Sequence, residues 1–130
     1  MVGIVVISHS GKVAEGVKAM ADQMADKSVR IIACGGIENG ELGTDAIKIM
    51  EALISANSGD GVVVLVDLGS AVLSTYTALE LLDEEERRLI KIADAPLVEG
   101  AVCAAVQASA GFSVDEVAAA AESARSMLKL

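Results

Sequence analysis

The single histidine of this 130-residue chain, His9, stands between Ser8 and Ser10 where the apolar run VGIVVI stops. An imidazole in such a place can act as a nucleophile, a proton carrier or a metal ligand. The two cysteines, Cys34 and Cys103, lie in the apolar contexts IIACGG and AVCAAV without CxxC spacing. They read as buried, reduced thiols, and with no His/Cys set or carboxylate cluster at ligand spacing no metal is demanded of this chain. A second chemical group closes another apolar run, where VVVLV is followed by Asp67, Leu68, Gly69 and Ser70. A carboxylate that accepts from one imidazole nitrogen fixes the tautomer and leaves the lone pair of the other free to attack. His9 and Asp67 are therefore the candidate pair, provided the fold brings them together. Which ring nitrogen is left free stays open at this level.

The elements that must position the pair are legible as alternating short β-branched runs and longer amphipathic stretches. Val2 to Ile7, Val29 to Cys34, Gly61 to Asp67 and Leu89 to Ala93 read as strands, each apolar on consecutive positions as expected of a parallel sheet covered on both faces. Lys12 to Asp26 places Val13, Val17, Met20, Ala21 and Met24 on one helical face, and Thr44 to Ala56 does the same with Ile47, Met50 and Ile54, which assigns those methionines to the core. Further helices are expected from Ala71 to Glu84, from Val98 to Ala108, and from Val114 to the C-terminus, the last opening with Ser113 and Glu116 at capping-box spacing. Pro96 falls in a loop after the fourth strand, and the run DEEERR from Asp83 to Arg88 reads as a solvated helix end and turn. The expected fold is α/β: one domain, 1–130, with a doubly wound, mostly parallel sheet of about four strands and helices on both faces. In such sheets ligands bind outside the carboxyl ends of the strands, and His9 and Asp67 both lie there if the first and third strands are neighbours.

Other residues gather at the same edge. Ser10 and Gly11 can cap and start the first helix, so main-chain N–H groups and the positive end of the helix dipole would favour an anion beside the imidazole. Gly69 and Ser70 offer the same at the next helix start. The second strand empties into CGGIENGELGTD, whose Gly35 and Gly36 suit close approach to a ligand, with Thr44 and Asp45 at a helix start. This loop is not a GxGxxG motif, and SGKV lacks the Walker A frame, so no nucleotide site follows from spacing. Ser8, Lys12 and Tyr76 are also within possible reach, with packing roles as the plain alternative.

The formal charge of −9 with no Lys/Arg cluster excludes nucleic acid as a partner. The longest uncharged apolar run falls far short of the roughly 20 residues that span a bilayer. The N-terminus lacks the pattern of a signal peptide, which makes the cytoplasm the expected location. Hydrophobic residues are 53% of the chain and aromatics only 2%, so the core must be aliphatic, and one helix face is expected to be left over for a second copy in a homodimer.

The VVISHS strand end, the GGIENGELGTD loop and the VDLGSA turn resemble the phosphotransferase subunit family of the phosphoenolpyruvate-dependent dihydroxyacetone kinase, related to the mannose-type IIA domains of the bacterial sugar phosphotransferase system. The resemblance covers nearly the whole chain. It implies that His9 takes a phosphoryl group from the phosphocarrier HPr, that Asp67 supports the imidazole, and that phosphate passes to ADP held on the nucleotide-binding kinase subunit. Dihydroxyacetone on the substrate-binding subunit is then the final acceptor, this chain itself needs no cofactor, and a homodimer is again implied. Mannose-type domains usually carry a tryptophan-containing turn after the aspartate; DLGSA and the absence of Trp favour the dihydroxyacetone branch over a mannose-type sugar IIA component. The HPr-like and Enzyme I-like segments fused to some members are not seen here, so a separate donor protein is expected. Two rivals remain from the residues themselves: a receiver-like domain phosphorylated on Asp67, which would want acidic residues where SHS stands, and a non-enzymatic binding module using the glycine loop as a lid.

Overall fold

The structure, a computed structural model, describes residues 1–130. Four parallel strands, β1 (Gly3–Ser8), β2 (Ile31–Gly35), β3 (Val62–Val66) and β4 (Ile90–Ile92), form one sheet in the order β2-β1-β3-β4. Val5 of β1 pairs with Ile32 on one side and Val64 on the other. The doubly wound α/β architecture expected from the sequence is present, with β1 and β3 side by side at the point where the winding reverses.

Each central strand feeds two cores, which is why its consecutive residues Ile4–Ile7 and Val62–Val66 are apolar. Ile4 and Val6 of β1, with Val63 and Leu65 of β3, point into a core closed by α1 (Gly11–Met24), α5 (Leu97–Ser109) and α6 (Val114–Ser123). Val5 and Ile7, with Val62 and Val64, point the other way, under α2 (Ala46–Ala56) and α3 (Gly69–Glu80). These strand side chains are fully buried, and burial of each stabilises the fold by about 1.5–3 kcal/mol. Alanines of α5 and α6, including Ala101, Ala104 and Ala121, let those helices approach closely.

Several expectations need correction. Val17 and Ala21 of α1 are buried, but Val13, Met20 and Met24 are exposed, so the methionines of α1 are not core. The helix is broader in apolar character than the sheet can cover. In α2 the buried residues are Ile49, Ala52, Leu53 and Ala56; Met50 is partly buried against the core, and Ile47 and Ile54 face outward. The third helix stops at Glu80, and the acidic run forms a separate short helix, α4 (Glu84–Arg88), capped by Asp83 and closed by a reciprocal Glu86 bond. The last helix ends at Ser123 and gives way to a 3₁₀ turn over Ala124–Ser126. Pro96 is the N-cap of α5, where it surrenders no helix hydrogen bond. Cys34 and Cys103 are free thiols that are half-buried rather than buried, and burial pushes the Cys34 thiol above its ordinary pKa. No helix is long and apolar enough to cross a membrane.

Candidate active site

Only two buried residues carry polar side chains, Thr75 and Ser8. Thr75 returns its hydroxyl to the Ala71 carbonyl of its own helix. Ser8 does not: from the last position of β1 its hydroxyl donates to Asp67 Oδ2 at 2.9 Å. The buried polar network of this molecule thus lies at the carboxyl edge of β1 and β3, a chain separation of 59 residues closed by strand pairing.

Asp67 follows β3 and its carboxylate is saturated. Oδ1 accepts from His9 Nδ1 at 2.9 Å and from the Leu68 N–H at 2.7 Å; Oδ2 accepts from the Ser8 hydroxyl and from the His9 N–H, both at 2.9 Å. Burial would raise its pKa, but the hydrogen bonds from the His9 N–H, the His9 ring, Ser8 and Leu68 together hold the carboxyl below the ordinary aspartate value. An ionised carboxylate only accepts, so the facing nitrogen, Nδ1, carries the ring proton. Nε2 is then the nitrogen with the lone pair, and the Ser70 hydroxyl donates to it.

Ser70 stands in the first turn of α3. The N-cap of that helix, Leu68, has no side chain able to accept from the first turn, so the opening amides have no capping oxygen. On the other side of His9, Ser10 caps α1 by accepting from the Val13 N–H at 3.3 Å. The His9 imidazole therefore lies between two helix N-termini, whose partial positive charges favour an anion.

The glycine loop contributes mainly through its backbone. At Gly35 a Cβ would lie 2.7 Å from the Ser8 carbonyl oxygen and 2.8 Å from that of Ser10, so the missing side chain lets β2 close against the strand end that carries His9. Gly36, at φ 73°, adopts the left-handed conformation and, with Gly35, Ser10, Gly11, Lys12 and Leu42, borders an open cavity of about 640 Å³ beside the α1 N-terminus. The Gly43 N–H donates to the His9 carbonyl at 2.8 Å. Thr44 points its hydroxyl to Ser74 of α3 at 2.6 Å, and Asp45, rather than Thr44, caps α2 through the Ile47 N–H. Of the remaining candidates, Ser8 joins the Asp67 network, Lys12 lines the cavity, and Tyr76 stands exposed on α3. Ser74 carries no signal in the sequence: its partner lies 30 residues away and neither residue has a motif around it.

Residues 3–118 match the family described as PTS system fructose IIA component, EIIA-man. The chain belongs to this family. The chain is 46% identical over 107 residues to the phosphoryl donor subunit DhaM of PEP-dependent dihydroxyacetone kinase 2 of Listeria innocua, covering 82% of this chain and 86% of that one. It is 44% identical over 120 residues to the corresponding Escherichia coli subunit, covering 90% of this chain but only 25% of that one. The chain thus spans about a quarter of the longer relatives and most of the shorter ones. The crystal structure of a protein of unknown function, EF1359, superimposes with a TM-score of 0.84 at 35% identity, covering 95% of both chains.

Proposed function

We propose that this chain is a histidine phosphocarrier of the dihydroxyacetone kinase branch, taking a phosphoryl group on His9 Nε2 from phospho-HPr and passing it to ADP bound to the nucleotide-binding kinase subunit. The observation that carries the reading is the ring held on both sides: Asp67 keeps the proton on Nδ1 while Nε2 faces the Ser70 hydroxyl at a helix N-terminus. Relatives named as phosphoryl donor subunits of PEP-dependent dihydroxyacetone kinase support the assignment to that branch.

In the first half-reaction the Nε2 lone pair forms the N–P bond as the bond between phosphorus and the donor's imidazole breaks. Phosphoryl transfer asks the protein for position and charge stabilisation, and the proton on Nδ1 stays in place throughout. The positive character that develops on the ring is met by Asp67. The phosphoryl oxygens meet the amides at Gly69 and Ser70 and the Ser70 hydroxyl. In the second half-reaction the N–P bond breaks, a terminal phosphate oxygen of ADP takes the phosphoryl group, and His9 returns to its neutral tautomer. Dihydroxyacetone on the substrate-binding subunit is the eventual acceptor.

Both exchanges bring a protein to the His9 edge, and the surface there suits one. Leu42, next to the Gly43 that holds the His9 carbonyl, is 72% exposed, and Leu68, next to Asp67, is 63% exposed. Apolar side chains left in water beside a reacting group serve contact with another macromolecule better than binding of a small polar one. The receiver-like alternative is disfavoured because both Asp67 oxygens are already engaged by donors, leaving His9 as the better nucleophile.

The test is labelling from phosphoenolpyruvate, Enzyme I and HPr. Wild-type protein should acquire acid-labile phosphate, and His9→Ala should acquire none while keeping its fold. Label that persists in His9→Ala, or hydroxylamine-labile label on Asp67, would overturn the reading.

A further inference from the structure

A closed circuit of contacts runs through His9. The ring Nε2 meets the Ser70 hydroxyl on the first turn of α3. Four residues on along the same helix face, Ser74 meets the Thr44 hydroxyl at 2.6 Å. Thr44 follows Gly43, whose N–H donates at 2.8 Å to the carbonyl of His9 itself. The circuit therefore leaves His9 by its side chain and returns to its main chain, and the Thr44–Ser74 bond is the only link in it that joins the glycine loop to α3 by side chains.

We propose that Thr44 and Ser74 form a positioning clasp that sets the first turn of α3, and with it the Ser70 hydroxyl, against Nε2 of His9. The inference rests on the carrier reading above for its kinetic consequence but not for its structural one. Three features support it. The N-cap residue Leu68 is tied to Asp67 only by its own N–H and supplies no side-chain bond, so the first turn of α3 lacks the side-chain cap that Ser10 gives α1 or Asp45 gives α2. Asp67 fixes the ring's Nδ1 side from β3 but cannot fix the rotation of the helix that follows. The clasp is part-buried, where a hydroxyl pair holds its geometry better than in open water. Ser74 thus acts through Ser70 and touches no reacting atom.

This geometry also gives the glycine loop a task that does not require it to bind phosphate. The loop ties the His9 main chain to α3, so ring and helix are held in one frame while the side chain exchanges partners. Ser70 must turn its hydroxyl away from the Nε2 lone pair to admit phosphorus and then back toward a phosphoryl oxygen. A helix start held by the clasp lets the hydroxyl rotate without the backbone moving.

The test uses Ser74→Ala, Thr44→Val, the double variant and Ser74→Thr, with two readouts. The first is the ¹⁵N spectrum of the His9 ring in the unphosphorylated chain, unambiguous because no other histidine is present. In Ser74→Ala and Thr44→Val the Nε2 signal should move toward that of a ring without a donor on its lone pair, and in Ser74→Thr it should stay at the wild-type position. The second is the rate of phosphorylation by phospho-HPr, expected to fall about five- to tenfold in each single variant, the size of one neutral hydrogen bond, with no further loss in the double variant. Unchanged ring signals in both single variants overturn the clasp, as do losses that simply add in the double variant. A wild-type chain that accepts no phosphate refutes the carrier reading instead, and the ring signals still decide the clasp.

Discussion

Asp67 grips His9 at two points, accepting from the ring through Oδ1 and from the main-chain N–H through Oδ2, both at 2.9 Å. A carboxylate that held only the ring would set its tautomer. One that also holds the backbone of the same residue fixes the ring's position relative to β3, so orientation and location come from one side chain.

Asp67→Asn should therefore still accept phosphate on His9, but at least tenfold more slowly. The amide oxygen can take one donor, while the charge that balances the phosphorylated ring is lost. The slowing should stay below the roughly 10⁴-fold seen when the orienting aspartate of a hydrolase triad is changed, because no proton leaves the imidazole here. Rapid-quench phosphorylation of the two proteins measures it; equal rates would remove Asp67 from the mechanism.

The depressed pKa of Asp67 makes a pH statement with a definite sign. The unfolded aspartate titrates near about 3.9, and the folded one lower, so the carboxylate network stabilises the fold fully above that value and is lost as pH falls through the folded pKa. Thermal unfolding of wild type and Asp67→Asn should thus converge as the pH drops below about 4 and differ by a constant amount above about 5. A gap independent of pH down to strong acid would contradict the charged network.

Gly3 opens β1 at the end away from the site. A Cβ there would lie 2.2 Å from the Ala56 carbonyl oxygen at the end of α2. Gly3→Ala forces backbone apart and should cost about 3 kcal/mol or more, at the upper end of overpacking effects. Denaturant titration measures that loss, while the folded fraction should phosphorylate at the wild-type rate.

Val13, Met20 and Met24 are 46%, 53% and 55% exposed and follow one line along α1. They supply the surplus apolar face from which a homodimer is expected. Sedimentation at micromolar concentration should show a dimer for wild type and a monomer for Met20→Glu. A monomeric wild type would leave this stripe without a role as a subunit interface.

The strands and the pair His9 and Asp67 were legible in the sequence because both signals are local: consecutive β-branched residues, and a polar residue where each run stops. Neighbouring placement of β1 and β3 followed from the doubly wound pattern. The identity of the exposed α1 residues was not legible, because periodicity gives the direction of an apolar face and not its width. The short helix α4 carried a readable sign, Asp83 followed three residues on by Glu86, which its density of charge obscured. The Ser8 hydroxyl could be suspected from its place beside His9. The Thr44–Ser74 bond could not, since two hydroxyls 30 residues apart meet only when α2 and α3 are packed side by side.

The pairing of β1 with β3, Ile7 opposite Val66, has a consequence for the life of the chain in a cell. A growing polypeptide displays His9 early, long before Asp67 has been made, and until β3 docks the imidazole has no partner to set its tautomer. If His9 is the acceptor proposed above, a partly made or unravelled copy lacks the contact that keeps the ring proton on Nδ1 and should be the poorer acceptor. On the carrier reading, charging of His9 thereby depends on the strand register that brings Ser8, His9 and Asp67 together.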